Sequence, residues 1–317
     1  MKGCQFKLLN EIIMTTASIP EENDAEYANL IEDIQQYCSI PEVIYHYTSA
    51  EGLNGILQSQ ELRLTRWDCL NDISENVYIH DVIRECIQEM EADETFKRNV
   101  GALNQIILSY KHPLSCVQTD KNMYVASFSK NDDCLPLWTY YTKSAQSNGY
   151  CVGFNSDSFS FKGTSFSMCG VIYNRCVQKQ LINKFLQHFF VLYNAYIVNG
   201  HINEGIKLSL VHAFSDFVSS VGCLFKHPSF EYEEEIRVLA RINAQKAIDE
   251  KRIKIRCSNG ILIPYIAMKF EQAGIKSVKS SPTLDEAAAY NGIRTAQTLY
   301  KYPRFEIEHS SLPLRNI

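Results

Sequence analysis

The segment that most constrains the fold of this chain runs from residue 43 to residue 65. It opens with the β-prone run Val-Ile-Tyr, and a second strand is predicted from Glu61. Between them, Ser49 is suited to cap a helix N-terminus. Three apolar residues of that helix recur at helical spacing, namely Leu53, Ile56 and Leu57. We therefore expect a strand, a polar turn, a helix and another strand within one short segment.

This segment places chemically useful side chains at the end of a strand. His46, Tyr47, Thr48 and Ser49 lie where the first strand ends and the helix begins. Unpaired backbone N–H groups and the helix dipole favour a phosphate or ribose phosphate at such a position. A histidine near a strand end is also commonly a structural residue with satisfied hydrogen bonds. Both interpretations remain open at this point.

Composition limits the classes of function. The chain has 317 residues, of which 45% are hydrophobic and 21% charged, as is typical of a globular protein. A formal net charge of −5 argues against general electrostatic binding of nucleic acid, although a local basic groove is not excluded. The 11 cysteines include no C-x-x-C pair, and we find neither a signal peptide nor an apolar run long enough for a membrane span. We predict a cytoplasmic protein with reduced thiols and no membrane partner.

The predicted domain organisation is a lead-in helix within residues 1–40 and a single domain over residues 41–317. Two amphipathic helices, at about 177–197 and 203–222, form a helical insertion at about 177–223. Later segments predict strands, including 261–268, and two short helices at 284–289 and 292–300. No shift in composition marks a linker.

Aromatic residues in the middle of the chain have two interpretations. Phe128 and Ser129 end an alternating strand, and Trp138 and Tyr141 lie three residues apart on a predicted short helix. Such residues are usually part of the core. A pocket for a flat nicotinamide or adenine ring also needs an aromatic wall, which these residues could form.

A second candidate site is the acidic run before a late strand. Strand alternation predicts that Glu233, Glu235 and Arg237 share one face. Two carboxylates and a guanidinium are costly to bury unless they are paired or bind a ligand. Asn71 and Asp72 are a third candidate, although such a pair commonly caps a helix, here the one predicted to run to about Glu91.

Taken in order, these motifs resemble the bacterial domain-of-unknown-function family 2971. The resemblance covers about residues 43–315. The matching pieces are Tyr45-His46-Tyr47-Thr48-Ser49, Gly55-Ile56-Leu57, Leu70-Asn71-Asp72 with Glu75, Phe128-Ser129, Trp138 with Tyr141, Gly149 to Phe154, Lys226-His227-Pro228 with Phe230, Glu233-x-Glu235-x-Arg237, and Ser311-Leu312-Pro313-Leu314-Arg315.

The His-x-Thr-Ser opening and the strands around it are also similar to ADP-ribosyltransferases of the histidine-tyrosine-glutamate type. That resemblance implies an α+β fold: an ADP-ribosyltransferase-like split β-sheet core with an inserted helical pair and flanking helices. It implies that His46 binds an NAD ribose and that Glu235, or Glu233, contacts the nicotinamide ribose. The middle aromatic residue would be Tyr141, Tyr140 or Trp138. The expected NAD-binding residues are His46, Tyr47, Thr48, Ser49, Asn71, Asp72, Phe128, Ser129, Trp138, Tyr141 and Arg237.

The chemistry is consistent with these residue types. Cleavage of the nicotinamide glycosidic bond passes through an oxocarbenium-like state, which a fixed carboxylate stabilises. The same carboxylate can position or deprotonate the acceptor, and Arg237 can hold it ionised or bind the pyrophosphate. No metal is required.

We therefore expect an NAD-consuming mono-ADP-ribosyltransferase, with NAD as its substrate. The resemblance implies a toxin or anti-phage defence effector that modifies a protein or nucleic-acid acceptor, with an antitoxin or defence-system partner. One alternative is a non-catalytic nucleotide-binding or phage-sensing module. Another is a metal-dependent nuclease or other hydrolase that uses Asp72, Glu75, Glu233 and Glu235, whose spacings match no recognised metal motif.

Overall fold

The computed structural model describes residues 39–70, 73–92, 123–141, 148–160, 166–198, 214, 217–218, 221–242, 244–258 and 260–313. The predicted lead-in helix, Asn71 and Asp72 lie outside these residues, as does most of the second predicted helix of the insertion. The chain divides into two compact units, a helical unit and a sheet unit. The predicted domain boundaries remain a prediction.

The helical unit contains, among its described parts, two long helices: α2 (Ile73–Glu91) and α4 (Arg175–Val198). The buried amide of Gln178 joins three parts of this unit. Its Nε2 donates to the carbonyls of Ile172 (2.6 Å) and Lys226 (3.0 Å), and its Oε1 accepts from the Tyr78 hydroxyl (2.7 Å). Helix α4 (Arg175–Val198) confirms the helix predicted at 177–197, with slightly wider bounds.

The sheet unit carries ten strands and four helices in its described parts. The helices are α1 (Ala50–Ser59), α3 (Leu135–Tyr141), α5 (Ala244–Asp249) and α6 (Glu286–Leu299). The strands are β1 (Val43–Thr48), β2 (Glu61–Arg66), β3 (Met123–Ser129), β4 (Tyr150–Asn155), β5 (Phe166–Gly170), β6 (Glu235–Arg241), β7 (Ile253–Ser258), β8 (Ile261–Lys269), β9 (Ile275–Ser280) and β10 (Glu306–His309).

The strands form one sheet in the order β10-β9-β4-β1-β3-β2-β8-β7, with β6 paired to β3 and β5. The β9–β10 pair is parallel, and the other pairs are antiparallel. The protein is therefore α+β with an open multistranded sheet, as the sequence predicts at that level. The finer likeness to an ADP-ribosyltransferase core remains a prediction.

One edge of strand β3 is divided: one part of it pairs with β1 and another part with β2. Along its other edge it pairs with β6 over its whole length, from Met123 opposite Arg241 to Ser129 opposite Glu235. On the divided edge, β2 pairs at Tyr124 and Val125, whereas β1 pairs at Ser129. The sheet therefore opens between β1 and β2, beside residues 126–128 of β3.

The main core lies on one face of the sheet. Ile44, Phe128 and Ile236 come from three neighbouring strands, and helices α1 and α6 cover them with Leu57 and Ile293. The alternation of strand side chains sends their neighbours in sequence to the opposite face. There, a smaller cluster forms where α3 covers β1 and β4. Its members are Tyr47, Cys134, Leu137, Trp138 and Cys151.

Two local predictions require correction. The helices predicted at 284–289 and 292–300 are one continuous helix, α6, because Gly292 is accommodated within it in open space. Glu233 lies in a 3₁₀ helix (Pro228–Glu233), not in the strand, which begins at Glu235. The backbone of Glu234 between them has φ of 42° and breaks the strand alternation that was predicted for Glu233.

Candidate functional site

The Glu235 and Arg237 side chains form a buried ion pair beside β3. Both lie on β6, two residues apart and therefore on one face. Arg237 Nε donates to Glu235 Oε1 and Arg237 Nη2 to Glu235 Oε2, each at 2.9 Å. Their side chains are only 1% and 4% exposed. This bidentate geometry compensates part of the desolvation cost and fixes the orientation of the carboxylate.

An indole ring bounds the ion pair. The guanidinium carbon of Arg237 lies 5.2 Å from the centroid of the Trp67 ring, a cation–π distance. Trp67 opens a 3₁₀ helix (Trp67–Cys69) directly after β2 and is itself buried. Trp67, at the end of β2, thus covers the guanidinium of the ion pair on one side. Sequence reasoning missed Trp67, although the Arg-Trp-Asp sequence at 66–68 gave a signal of an aromatic residue beside charges.

The two acids of the Glu-x-Glu motif are both buried but sit in different backbone structures. Glu233 ends the 3₁₀ helix, and its carbonyl accepts a hydrogen bond of 2.7 Å from Ser129 Oγ. Ser129 Oγ in turn accepts from the N–H of Asn131 at 2.9 Å. The hydroxyl of Ser129 therefore holds the end of β3 to the start of β6. The structure brings Ser129, Glu233, Glu235 and Arg237 together.

Backbone strain lies between the two acids. Glu234 has φ of 42°, in the left-handed region that disfavours a residue with a side chain. Its carbonyl accepts from the N–H of Lys130 at 3.0 Å, and its N–H donates to the Glu231 carbonyl at 3.1 Å. Strain of this kind persists only where surrounding contacts enforce it, and it is concentrated at functional sites.

His46 lies at the opening between β1 and β2. With its proton on Nδ1, the imidazole donates to the carbonyl of Ser127 at 2.9 Å. This carbonyl lies on the divided edge of β3, next to the point at Ser129 where β1 pairs with β3. The ring also packs against Phe128, with the centroids 5.5 Å apart. The imidazole thus occupies the edge of β3 where a ladder hydrogen bond would otherwise form.

The register relates His46 to the acids. Tyr45, Ser129 and Glu235 are direct partners across three adjacent strands and so share one face. Two strand spacings separate Tyr45 from Glu235, about 10 Å. His46, the next residue of β1, leaves the strand on the opposite face. The structure therefore brings His46 and Glu235 to the same level of the sheet, but it separates their side chains by β3.

Tyr47 and Trp138 are held by packing and hydrogen bonds. The Tyr47 hydroxyl donates to the Asn131 carbonyl (3.0 Å) and accepts from the Cys134 N–H (2.9 Å), and burial raises the pKa of Tyr47. The Trp138 indole is fully buried, donates to Asp133 Oδ1 (2.8 Å) and contacts the Tyr47 ring edge-on at 4.9 Å. These rings form a structural cluster, and their role as a wall for a nicotinamide ring remains a prediction.

The remaining predicted residues have the following positions. Ser49 caps α1, as predicted, because its Oγ accepts from the N–H of Gly52 at 3.2 Å. Thr48 ends β1 and lies against this turn, where a Cβ added at Gly52 would be 1.9 Å from Thr48 Oγ1. Phe128 is in the main core, and Tyr141 is the last residue of α3.

No group of three or more histidine, cysteine, aspartate or glutamate side chains among the described residues is arranged to hold a metal ion. None of the helices in this part of the chain is long and apolar enough to cross a membrane.

One family model matches the chain. It is described as "Protein of unknown function (DUF2971)" and matches residues 137–238. This range contains the Glu-x-Glu-x-Arg motif and Trp138, and the match supports the resemblance to that family. No curated protein and no solved structure matches the chain. The likeness to ADP-ribosyltransferases has no support from these comparisons and remains a prediction.

Proposed function

We propose that this protein is an NAD-dependent mono-ADP-ribosyltransferase whose catalytic carboxylate is Glu235. The observation that carries the proposal is the alignment of Tyr45, Ser129 and Glu235 across β1, β3 and β6. The first-strand motif and the late acid therefore lie at the same level of the sheet, on either side of β3. A dinucleotide lying across the end of β3 at Ser129 would meet β1 and the start of β6 together.

Each residue has a defined role in this proposal. The Glu235 carboxylate stabilises the positive charge that develops on the nicotinamide ribose as the glycosidic bond breaks. Arg237 keeps that carboxylate ionised and oriented through its two hydrogen bonds. His46 binds a ribose hydroxyl from the edge of β3, with its tautomer fixed by the Ser127 carbonyl.

Glu233 is the second acid of the proposal. Its carboxyl group is buried one strained residue before Glu235, where it can accept a proton from the incoming acceptor. As a toxin or defence effector, the protein would transfer ADP-ribose to a protein or nucleic acid. NAD hydrolysis without an acceptor would be the side reaction of the same site.

The test measures release of nicotinamide from NAD labelled in that ring, with and without cell lysate. We expect release by the wild-type protein and a loss of about a hundredfold or more in Glu235→Gln, because the negative charge that stabilises the transition state is removed. Glu231→Gln is the matched control, since Glu231 is an exposed acid of the same segment. Thermal unfolding of all three proteins separates lost chemistry from lost folding.

A second candidate function is nucleotide binding without turnover. The specific observation that favours it is that both oxygens of the Glu235 carboxylate already accept hydrogen bonds from Arg237 in a nearly closed environment. A carboxylate in this state can serve as a structural support. Binding of NAD by calorimetry with no nicotinamide release, in the presence or absence of lysate, would establish this function and refute the transferase.

A further inference from the structure

A positively charged face lies on the sheet unit at strands β2, β8 and β7. Strand alternation and register place Arg63 of β2, Tyr265 of β8, and Lys254 and Arg256 of β7 on one side of these three strands. We call these four residues the basic face. Arg63 and Lys254 are exposed, and the other two are partly exposed. The cations are concentrated here although the whole chain has a net charge of −5.

The two guanidinium groups of the basic face have no acidic partner among the residues that the structure describes. Among the ion pairs of the described residues, none involves Arg63 or Arg256. Arg256 Nη2 reaches the hydroxyl of Thr65 at 3.4 Å, a long and neutral contact. Burial and the nearby Arg63 lower the pKa of Arg256. Thr65, which Arg256 contacts, lies two residues from Arg63 on the same side of β2, so both guanidinium groups serve one area of the sheet, where two like charges favour an anion.

One carboxylate borders the basic face and is already used. Glu61 of β2 lies at the end of the same row of β2 side chains as Arg63, and its Oε2 is 3.1 Å from Lys254 Nζ. This pair fixes the Lys254 side chain along the sheet. It leaves the arginines as the groups that can bind an incoming anion.

The basic face also offers planar groups for stacking. The guanidinium carbon of Arg63 lies 5.3 Å from the centroid of the Tyr265 ring. Aromatic rings and guanidinium planes are the surfaces on which unpaired nucleic-acid bases stack, while neighbouring cations bind the phosphates. An acidic protein partner would use the charges but has no need of the planes.

We propose that the basic face binds single-stranded nucleic acid, with phosphates at Arg63 and Arg256 and a base stacked on the Arg63–Tyr265 pair. The three antiparallel strands present these groups from a regular sheet surface, as other sheet-based readers of single strands do. This surface goes beyond the proposed transferase activity and does not depend on it, because binding requires no NAD.

The test measures fluorescence anisotropy of a labelled 12-nucleotide single strand, as DNA and as RNA, without NAD. We expect the double variant Arg63→Gln/Arg256→Gln to bind at least tenfold more weakly and to show a salt slope smaller by about 1.4, from two lost phosphate contacts at about 0.7 each. The matched control is Lys276→Gln/Arg304→Gln, which removes two exposed positive charges elsewhere on the sheet unit and should bind as the wild type does.

A second variant tests stacking separately from charge. Tyr265→Leu should weaken binding about tenfold and leave the salt slope unchanged. The proposal is overturned if the wild type does not bind the single strand, if the control variant loses as much affinity as the double arginine variant, or if polyglutamate binds and displaces the oligonucleotide. Loss of binding in the arginine variants with unchanged nicotinamide release would separate this surface from the candidate NAD site.

Discussion

Arg237 donates two hydrogen bonds of 2.9 Å to the carboxylate of Glu235, and both side chains are almost completely enclosed. A buried ion pair of this kind has a characteristic energetic signature. Its net contribution to stability is small, because desolvation offsets attraction, but the loss of one member leaves an uncompensated buried charge. The pair can therefore be tested for stability independently of any activity.

We predict that Arg237→Met destabilises the protein by about 3–5 kcal/mol, because Glu235 is left buried without its bidentate partner. Urea unfolding followed by circular dichroism measures this loss. The double variant Glu235→Gln/Arg237→Met should recover part of the stability, since no lone charge remains. Equal stabilities of the single and double variants would contradict the view that the unpaired charge of Glu235 destabilises Arg237→Met.

We predict that Tyr47→Phe costs about 1–3 kcal/mol at neutral pH, because the Cys134 N–H and the Asn131 carbonyl lose their shared hydroxyl. Chemical unfolding of the two proteins measures the difference. Tyr140→Phe, at an exposed position of α3, is the control and should be neutral.

The same hydroxyl predicts a dependence of stability on alkaline pH. Burial raises the pKa of Tyr47 above its ordinary value of 10.0, so the folded state retains a proton that the unfolded state loses. The contribution is fully present below pH 10 and is lost as the pH rises above it. Above pH 10 the unfolding free energy of the wild type should fall as the pH rises. In Tyr47→Phe, which lacks the hydroxyl, this fall should be shallower by about 1.4 kcal/mol per pH unit. Identical slopes for wild type and Tyr47→Phe would refute the assignment.

We predict that Glu234→Gly stabilises the protein by up to about 1 kcal/mol, because glycine adopts φ of 42° without the steric cost of a side chain. Glu234→Val should destabilise it by a similar amount. Thermal unfolding measures both changes. Neither variant removes a buried group, since the Glu234 side chain is exposed, so a loss of stability in Glu234→Gly would show that the backbone is not strained there.

For the helical unit, we predict that Gln178→Leu destabilises by about 3 kcal/mol. The substitution leaves the Ile172 and Lys226 carbonyls and the Tyr78 hydroxyl without their amide partner. Gln178→Glu, which retains the acceptor for Tyr78 but loses both donors, should also be clearly destabilised. Wild-type unfolding midpoints for both variants would refute this role of the amide.

The first strand, helix and second strand were predictable from the sequence because their signals are local. The predicted helix over 50–60 is Ala50–Ser59, capped by Ser49 as expected, and the strand predicted from Glu61 begins there. Alternating apolar residues likewise indicate β3 and β6. In these segments, spacing and capping chemistry agree with the tertiary fold.

The site itself required long-range information. Nothing in the sequence indicates that Tyr47 and Trp138 contact each other edge-on, or that Trp67 covers Arg237. The prediction for Glu233 was wrong because a non-glycine residue, Glu234, adopts positive φ, for which the sequence carries no glycine signal. The face on which His46 leaves β1 follows from the pairing of β1 with β3, which the sequence does not specify.

The division of one edge of β3 between β1 and β2 has a consequence for the order of folding. The hydrogen bond from His46 to Ser127 spans 81 residues, and the one from Ser129 to Glu233 spans 104. Contacts between such distant segments close large loops and form late. The pairing of β6 with the other edge of β3 therefore comes only when the last third of the chain has joined, whereas a ribosome-bound chain shorter than residue 235 already holds β1, β2 and β3, which border the opening.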